Sequence, residues 1–338
     1  MRAAIWIAII CASTTVARAD DARDWLDGLY DLWAPRVERG EPIVVTAHVP
    51  LCDNRIIRCG NKRLGDGDNP DTNLYWNTDE GFLGWFDRKG SGWKREKIQD
   101  AGAPSDVLET RVWHRTFKPK EAWNDRKVGK PIEIYVIAYA WRGTSIDQTL
   151  AAYLDDVYGD QQRTVVLDDG TRLAAGGKSA IVAWVGHNRL MDVDPIDWAA
   201  RAKSSTSEPK GVIAEACETA PYMAAEVSSE TRVPLLMTND FLFAGANAFE
   251  GVVTTFARGG SLKAMRDLAT VQYAQGQGET VHHVGRVFTN PAESRWPGPG
   301  KITRSRGRDT RRNRRAGPRR TRRRSDARPR SSGAGSRS

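Results

Sequence analysis

Residues 179–188 read SAIVAWVGHN and residues 210–222 read KGVIAEACETAPY, and these two stretches decide the fold. Each opens with a short apolar run that lacks polar alternation. That is the pattern of a strand covered on both faces. The first run ends at His187 and the second at Cys217. Their separation of 30 residues matches one strand-to-strand crossover in a βαβ unit. Between them DPIDWAARAK (194–203) predicts a helix, with Asp194 as N-cap and Pro195 at the first helical position. Neighbouring strands lie ~4.8 Å apart. If these two are neighbours, the imidazole and the thiol meet at the carboxyl edge, where open α/β sheets bind ligands. A helix predicted from near Pro221 aims its N-terminal dipole at Cys217 and lowers the thiol pKa.

The flanking sequence extends the alternation. PIEIYVIAYAW (131–141) reads as a buried strand. GTSIDQTLAAYLDDVYG (143–159) reads as a helix, with a capping box at Ser145 and Gln148 and an apolar face of Ile146, Leu150, Tyr153, Leu154 and Val157. RTVVLDDGTRLAAGG (163–177) gives a strand and an Asp-Gly turn. VPLLMTNDFLF (233–243) gives another strand, and residues 247–260 and 261–278 give two closing helices. Such alternation predicts an α/β domain over residues 131–295, a mostly parallel sheet flanked by helices. Residues 20–130 are rich in Gly, Asn, Asp and Trp, with short apolar runs such as PIVVTAHV (42–49). They predict a separate, irregular β-rich region.

An apolar strand ending in His, followed by an apolar strand ending in Cys within ACETA (216–220), resembles the caspase–gingipain–legumain clan of cysteine peptidases. The likeness is greatest to its bacterial CHAT and gingipain branches. FARGGSLKAMRDLATVQYA (256–274) is similar to the helix–turn–helix end of a CHAT domain. The resemblance spans roughly residues 131–278. It implies a caspase-like fold, His187 as general base and Cys217 as nucleophile. It also implies an oxyanion hole from the backbone N–H groups of Asn188 and Cys217. The implied substrate is a protein or peptide, and no cofactor is implied. One departure stands out: the clan places Gly after the His, and this chain has Asn188. A non-catalytic binding protein that uses the aromatic N-terminal region for glycan or peptide is the alternative.

Residues 1–19 carry Arg2, an apolar core from Ala3 to Ala12 and the small-residue end Ala17-Arg18-Ala19. This is the pattern of a cleaved export signal, so the mature protein is expected outside the cytoplasm, in periplasm or medium. No later stretch approaches the ~20 apolar residues of a membrane span. The net charge of +9 is unevenly spread. Residues 300–338 hold 15 Arg, one Lys and two Asp, a net +14, which leaves −5 for residues 1–299. The tail, residues 296–338, has too few apolar residues to fold. Its composition fits a polyanion-binding arm, a solvated disordered tail or out-of-frame translation of GC-rich DNA.

With Cys11 inside the signal, three cysteines remain, and Cys52 and Cys59 are expected to pair in an oxidising compartment. Cys217 is then the odd thiol. RLGDGDNPDTNLYW (63–76) offers Asp66, Asp68 and Asp71 as a calcium candidate beside the reading of an Asx-turn loop. It fails as an EF-hand, because the twelfth position from Asp66 is Asn77 rather than Glu. Tyr75, Trp76, Phe82, Trp85, Phe86 and Trp93 form an aromatic cluster that suits a core, or a platform for sugars and peptides. His48 lies close to Cys52 in sequence, but a disulfide would consume that thiol. His114, His282 and His283 lack partners at metal-ligand spacing. Asp192, Asp194, Glu218 and Asp240 are each candidates to line a pocket for a basic residue, and the sequence does not select among them. Nucleotide-loop, dinucleotide and metalloprotease motifs are absent from the sequence.

Overall fold

A computed structural model describes residues 19–193, 196–202 and 208–291. The signal segment ahead of Ala19, the helix start at Asp194 and Pro195, and the Arg-rich tail lie outside the described residues. The strands are β1 (Ile43–Pro50), β2 (Lys94–Glu96), β3 (Ile98–Asp100), β4 (Val107–Phe117), β5 (Ile132–Trp141), β6 (Gln162–Leu167), β7 (Arg172–Gly176), β8 (Ile181–Val185), β9 (Lys210–Glu215), β10 (Arg232–Thr238) and β11 (Phe288–Thr289). The helices are α1 (Ala19–Glu38), α2 (Phe82–Asp87), α3 (Glu121–Asp125), α4 (Ile146–Tyr158), α5 (Trp198–Ala202), α6 (Thr219–Val227), α7 (Ala246–Ala257), α8 (Leu262–Gln277) and α9 (Val281–Val284).

Eight strands form one sheet in the order β11-β10-β9-β8-β1-β5-β4-β2. The five middle strands run parallel, and the outer pairings, β10 with β11, β5 with β4 and β4 with β2, are antiparallel. The fold is α/β, as the alternation of apolar runs predicts.

The boundary expected at residue 130 does not divide this sheet. All eight residues of β1 are buried, and the strand pairs with β5 on one side and β8 on the other. The run IVVTAHVP is a central strand, with Ile43, Val45, Ala47 and Val49 in the main core on one face and Val44 against the β6–β7 hairpin on the other. Chain order alone gave no sign of that placement. Within residues 20–130, residues 51–81 form a loop without strand or α-helix. There Asn73, fully buried, accepts from the Cys52 N–H at 3.0 Å and donates to the Cys52 carbonyl at 2.8 Å. The Cys52–Cys59 disulfide forms, with Cα atoms 5.9 Å apart.

Two apolar layers sandwich the sheet. Odd-numbered residues of β8 and β9 such as Ala183, Val185 and Ile213 join α1, α7, α8 and the aromatic cluster. Even-numbered ones such as Val182, Trp184, Val212 and Ala214 join α4 and α6. Side chains alternate along a strand, so the two registers face opposite layers. Residues 162–176 depart from the parallel pattern. β6 and β7 form an antiparallel hairpin in a separate three-stranded sheet with β3. The capping box does not close either. Ser145 lies in a tight turn ahead of α4 and makes no side-chain cap bond. Among the described residues, no helix is long and apolar enough to cross a membrane.

Candidate functional site

β8 and β9 are parallel neighbours, and their register runs from Ile181↔Gly211 to Val185↔Glu215. That offset of 30 residues equals the His187–Cys217 separation, so both residues stand two positions past the end of their own strand. The pairing continues just beyond, where the Gly186 N–H donates to the Glu215 carbonyl at 3.1 Å. Gly186 itself allows β8 to approach β1, since a Cβ there would sit 3.0 Å from the Pro50 ring. The two loops are then stitched directly. The buried Asn188 side chain donates from Nδ2 to the Cys217 carbonyl at 2.7 Å, and its Oδ1 accepts from the Leu190 N–H at 3.1 Å. Asn188 thus does with its amide what Gly could not: it ties the histidine loop to the cysteine loop.

The His187 ring places Nε2 2.5 Å from Asp192 Oδ2. Asp192 is brought there by a short turn over Arg189–Met191, which Asn188 caps. This carboxylate orients the imidazole and leaves Nδ1 for another partner. Arg189 also lies 3.7 Å from Asp192 and pairs with Asp147 on α4. Asp192 therefore serves the histidine rather than a pocket for a basic residue.

Cys217 is half-buried and is the free cysteine of the described residues. Its Sγ donates to the Leu242 carbonyl at 3.5 Å. The next residue, Glu218, holds φ 50 and ψ 42, a left-handed conformation that costs a non-glycine residue about 1 kcal/mol. This turn separates the strand from α6. The thiol pKa is not lowered as expected from that helix. Burial pushes it up, the Glu218 and Asp240 carboxylates add to the rise, and the Leu242 backbone offsets only part of it. The reason lies in where the helix's first amides go. The Glu218 N–H donates to the Asp240 carbonyl at 3.1 Å and the Thr219 N–H to Thr238 Oγ1 at 3.0 Å. Both are spent on the end of β10. The Asn188 N–H, by contrast, has no hydrogen-bond acceptor among the described residues, and the Cys217 N–H acts on its own sulfur.

Three further residues surround the thiol, and the sequence marked only Tyr75, as a member of the aromatic cluster. Tyr75, from the loop over residues 51–81, has its hydroxyl pKa raised by burial and then by Cys217. Tyr273 of α8 is raised by burial and feels both Glu215 and Cys217. Glu215 is fully buried two residues before Cys217, and its carboxyl makes no well-formed hydrogen bond among the described residues, with the Gly245 and Phe249 amides as nearby donors. Burial pushes its pKa up to about 8, against a partial pull from the Gly245 and Phe249 amides at the start of α7. A charged-residue letter inside an apolar run was the one available signal for Glu215.

The remaining candidates fall elsewhere. Asp68 is bound by the guanidinium groups of Arg55 and Arg142, and Asp66 accepts from the Asp68 N–H, so the aspartates of this loop brace each other and their arginines. Asp71 donates its N–H to Asn69 Oδ1 in an Asx turn. Among the described residues, no group of three or more His, Cys, Asp or Glu side chains could hold a metal ion. The six cluster aromatics are buried, and Phe82 and Phe86 pack on Phe249 of α7, so these rings form core rather than a platform. His48 is fully buried on the opposite face, 2.8 Å from Asp156, and Cys52 is in the disulfide. His114 contacts Glu133 and His283 contacts Glu279, both as local pairs. Comparison with known proteins finds no family model, no curated protein and no solved structure that matches this chain.

Proposed function

We propose that the protein is an exported thiol hydrolase of caspase-like type that cleaves peptide bonds by acyl transfer at Cys217. One observation carries this reading. The β8–β9 register offset equals the His187–Cys217 spacing, and the Asn188–Cys217 hydrogen bond draws the two strand-end loops together. His187, oriented by Asp192, takes the Cys217 proton at Nδ1. The S–H bond breaks, the thiolate adds to the scissile carbonyl, and the protonated imidazole then returns the proton to the leaving amine. The N–H groups of Asn188 and Cys217 are the donors for the developing oxyanion. Because burial holds the thiol protonated at rest, proton transfer accompanies attack instead of preceding it.

Replacing Cys217 with Ala is expected to lower turnover of a mixed fluorogenic peptide library by at least ~10³-fold while the melting curve stays in place. Unchanged turnover in that variant overturns the proposal. The second reading is a folded protein that binds without cutting, and it is favoured by the same raised thiol pKa. The buried aromatic cluster removes the surface it was expected to use.

A further inference from the structure

The segment over residues 239–245, between β10 and α7, runs past Cys217, touching it at Leu242 and the neighbouring Glu218 at Asp240. It is fixed at four points. The Asn239 N–H donates to the Val287 carbonyl at 2.8 Å, and the Asp240 carbonyl accepts from Glu218 at 3.1 Å. The Phe243 N–H donates to Tyr273 Oη at 3.0 Å. At its far end the Ala246 N–H donates to the Glu80 carbonyl at 2.7 Å. The fifth link is to the thiol itself, whose proton goes to the Leu242 carbonyl. The segment has no helical or sheet bonding of its own. Phe241 at its middle is 65% exposed, so its ring adds nothing to the hold.

We infer that this segment is a strap that keeps Cys217 latent, and that Tyr273 is its latch. The inference rests on the thiol-hydrolase reading of Cys217 and adds its regulation. In the strapped state the thiol proton is directed at Leu242, while the imidazole is held by Asp192. For attack, the S–H group has to leave the Leu242 carbonyl and turn towards His187 Nδ1, which the strap prevents until it lifts. The Tyr273 hydroxyl is the side-chain hydrogen bond in the segment's interior, beside the packing of Leu242 and the buried Ala244 on the core, and the other anchors are backbone pairs near its ends. Lifting the strap needs the Phe243 hydrogen bond and the thiol contact to break and Leu242 to leave the core surface, a local opening that substrate binding can drive.

The test uses the full chain and iodoacetamide, with the Cys217 adduct quantified by peptide mass spectrometry. Tyr273→Phe removes the acceptor of the Phe243 N–H and is expected to speed alkylation of Cys217 about tenfold, the worth of one hydrogen bond. Amide exchange at Phe243 should accelerate in parallel. Phe241→Gly loosens the same segment at a solvent-facing residue, and it serves if the tyrosine variant fails to fold. Wild-type alkylation rates in a folded variant overturn the strap. Peptide turnover separates this from the parent reading. Fast alkylation without Cys217-dependent turnover upholds the strap and removes the hydrolase. Turnover that neither variant accelerates, with alkylation unchanged, removes the strap alone.

Discussion

The two ends of β9 bury one ionisable side chain each, and they treat it in opposite ways. At the amino end, Lys210 Nζ donates to the carbonyls of Asp156 at 2.9 Å, Gly159 at 2.6 Å and Gly177 at 2.5 Å. Nearby, Asp156 meets both His48 and Arg163. At the carboxyl end, Glu215 has no cation beside it among the described residues and only the Gly245 and Phe249 amides as nearby donors. Burial moves both groups towards neutrality, Lys210 down to about 8 and Glu215 up to about 8. Only Lys210 is compensated. A buried charge with a full set of partners is scaffold, and it ties α4, the loop after it and the hairpin to the sheet. A buried carboxyl without a cation beside it is held un-ionised at neutral pH. It therefore adds no negative charge two residues from a thiol that has to become a thiolate.

Substitutions at the two ends should separate these roles. The largest effect is expected from Lys210→Met, which strips three buried carbonyls of their donor and should lose about 4 kcal/mol in denaturant unfolding. The ammonium's folded pKa lies below the unfolded one. Wild-type stability should therefore gain from this group as pH rises from about 8 towards 10.4, and the variant should lack that gain. A loss well under 1 kcal/mol would mean the amino end is no more compensated than the carboxyl end.

Glu215→Gln should act in the other direction. A carboxyl raised from ~4.3 in the unfolded chain to about 8 in the fold makes stability fall as pH rises between those values. The folded protein retains a proton there that the unfolded chain has released. The glutamine variant should be more stable at pH 7 by about 3 kcal/mol, with the descent between pH 5 and 8 removed. Identical pH profiles for the two proteins would contradict the solitary state of this carboxyl.

The smallest effect belongs to the stitch above these residues. Asn188→Ala leaves the Cys217 carbonyl and the Leu190 N–H without their side-chain partner, a loss of about 1 kcal/mol. Turnover should fall further than this stability change implies, because the two strand-end loops lose their register. Equal effects on melting and on turnover would reduce Asn188 to a loop brace.

The pairing of the two strands could be read without coordinates. His187 and Cys217 each follow a mostly apolar run, and their spacing is one crossover, so the neighbouring places of β8 and β9 followed from local pattern and from the regular geometry of parallel strands. The environment of the thiol did not follow. A helix after the cysteine was expected to favour the thiolate. The fold spends that helix's first amides on β10 and surrounds the sulfur with burial, Glu218 and Asp240 instead. Asp192 was one of four acidic residues that nothing in the sequence could rank. It was singled out by a three-residue turn that only the capped backbone defines.

What the sequence settles by itself is the α/β class, the individual buried strands of the second half and the disulfide between Cys52 and Cys59. These depend on periodicity and short spacings, which neighbouring residues encode. The central place of β1, the hairpin's removal to a second sheet and the solitary burial of Glu215 were decided by tertiary structure. Strand order and desolvation arise from contacts between residues far apart in the chain, and no local pattern carries them.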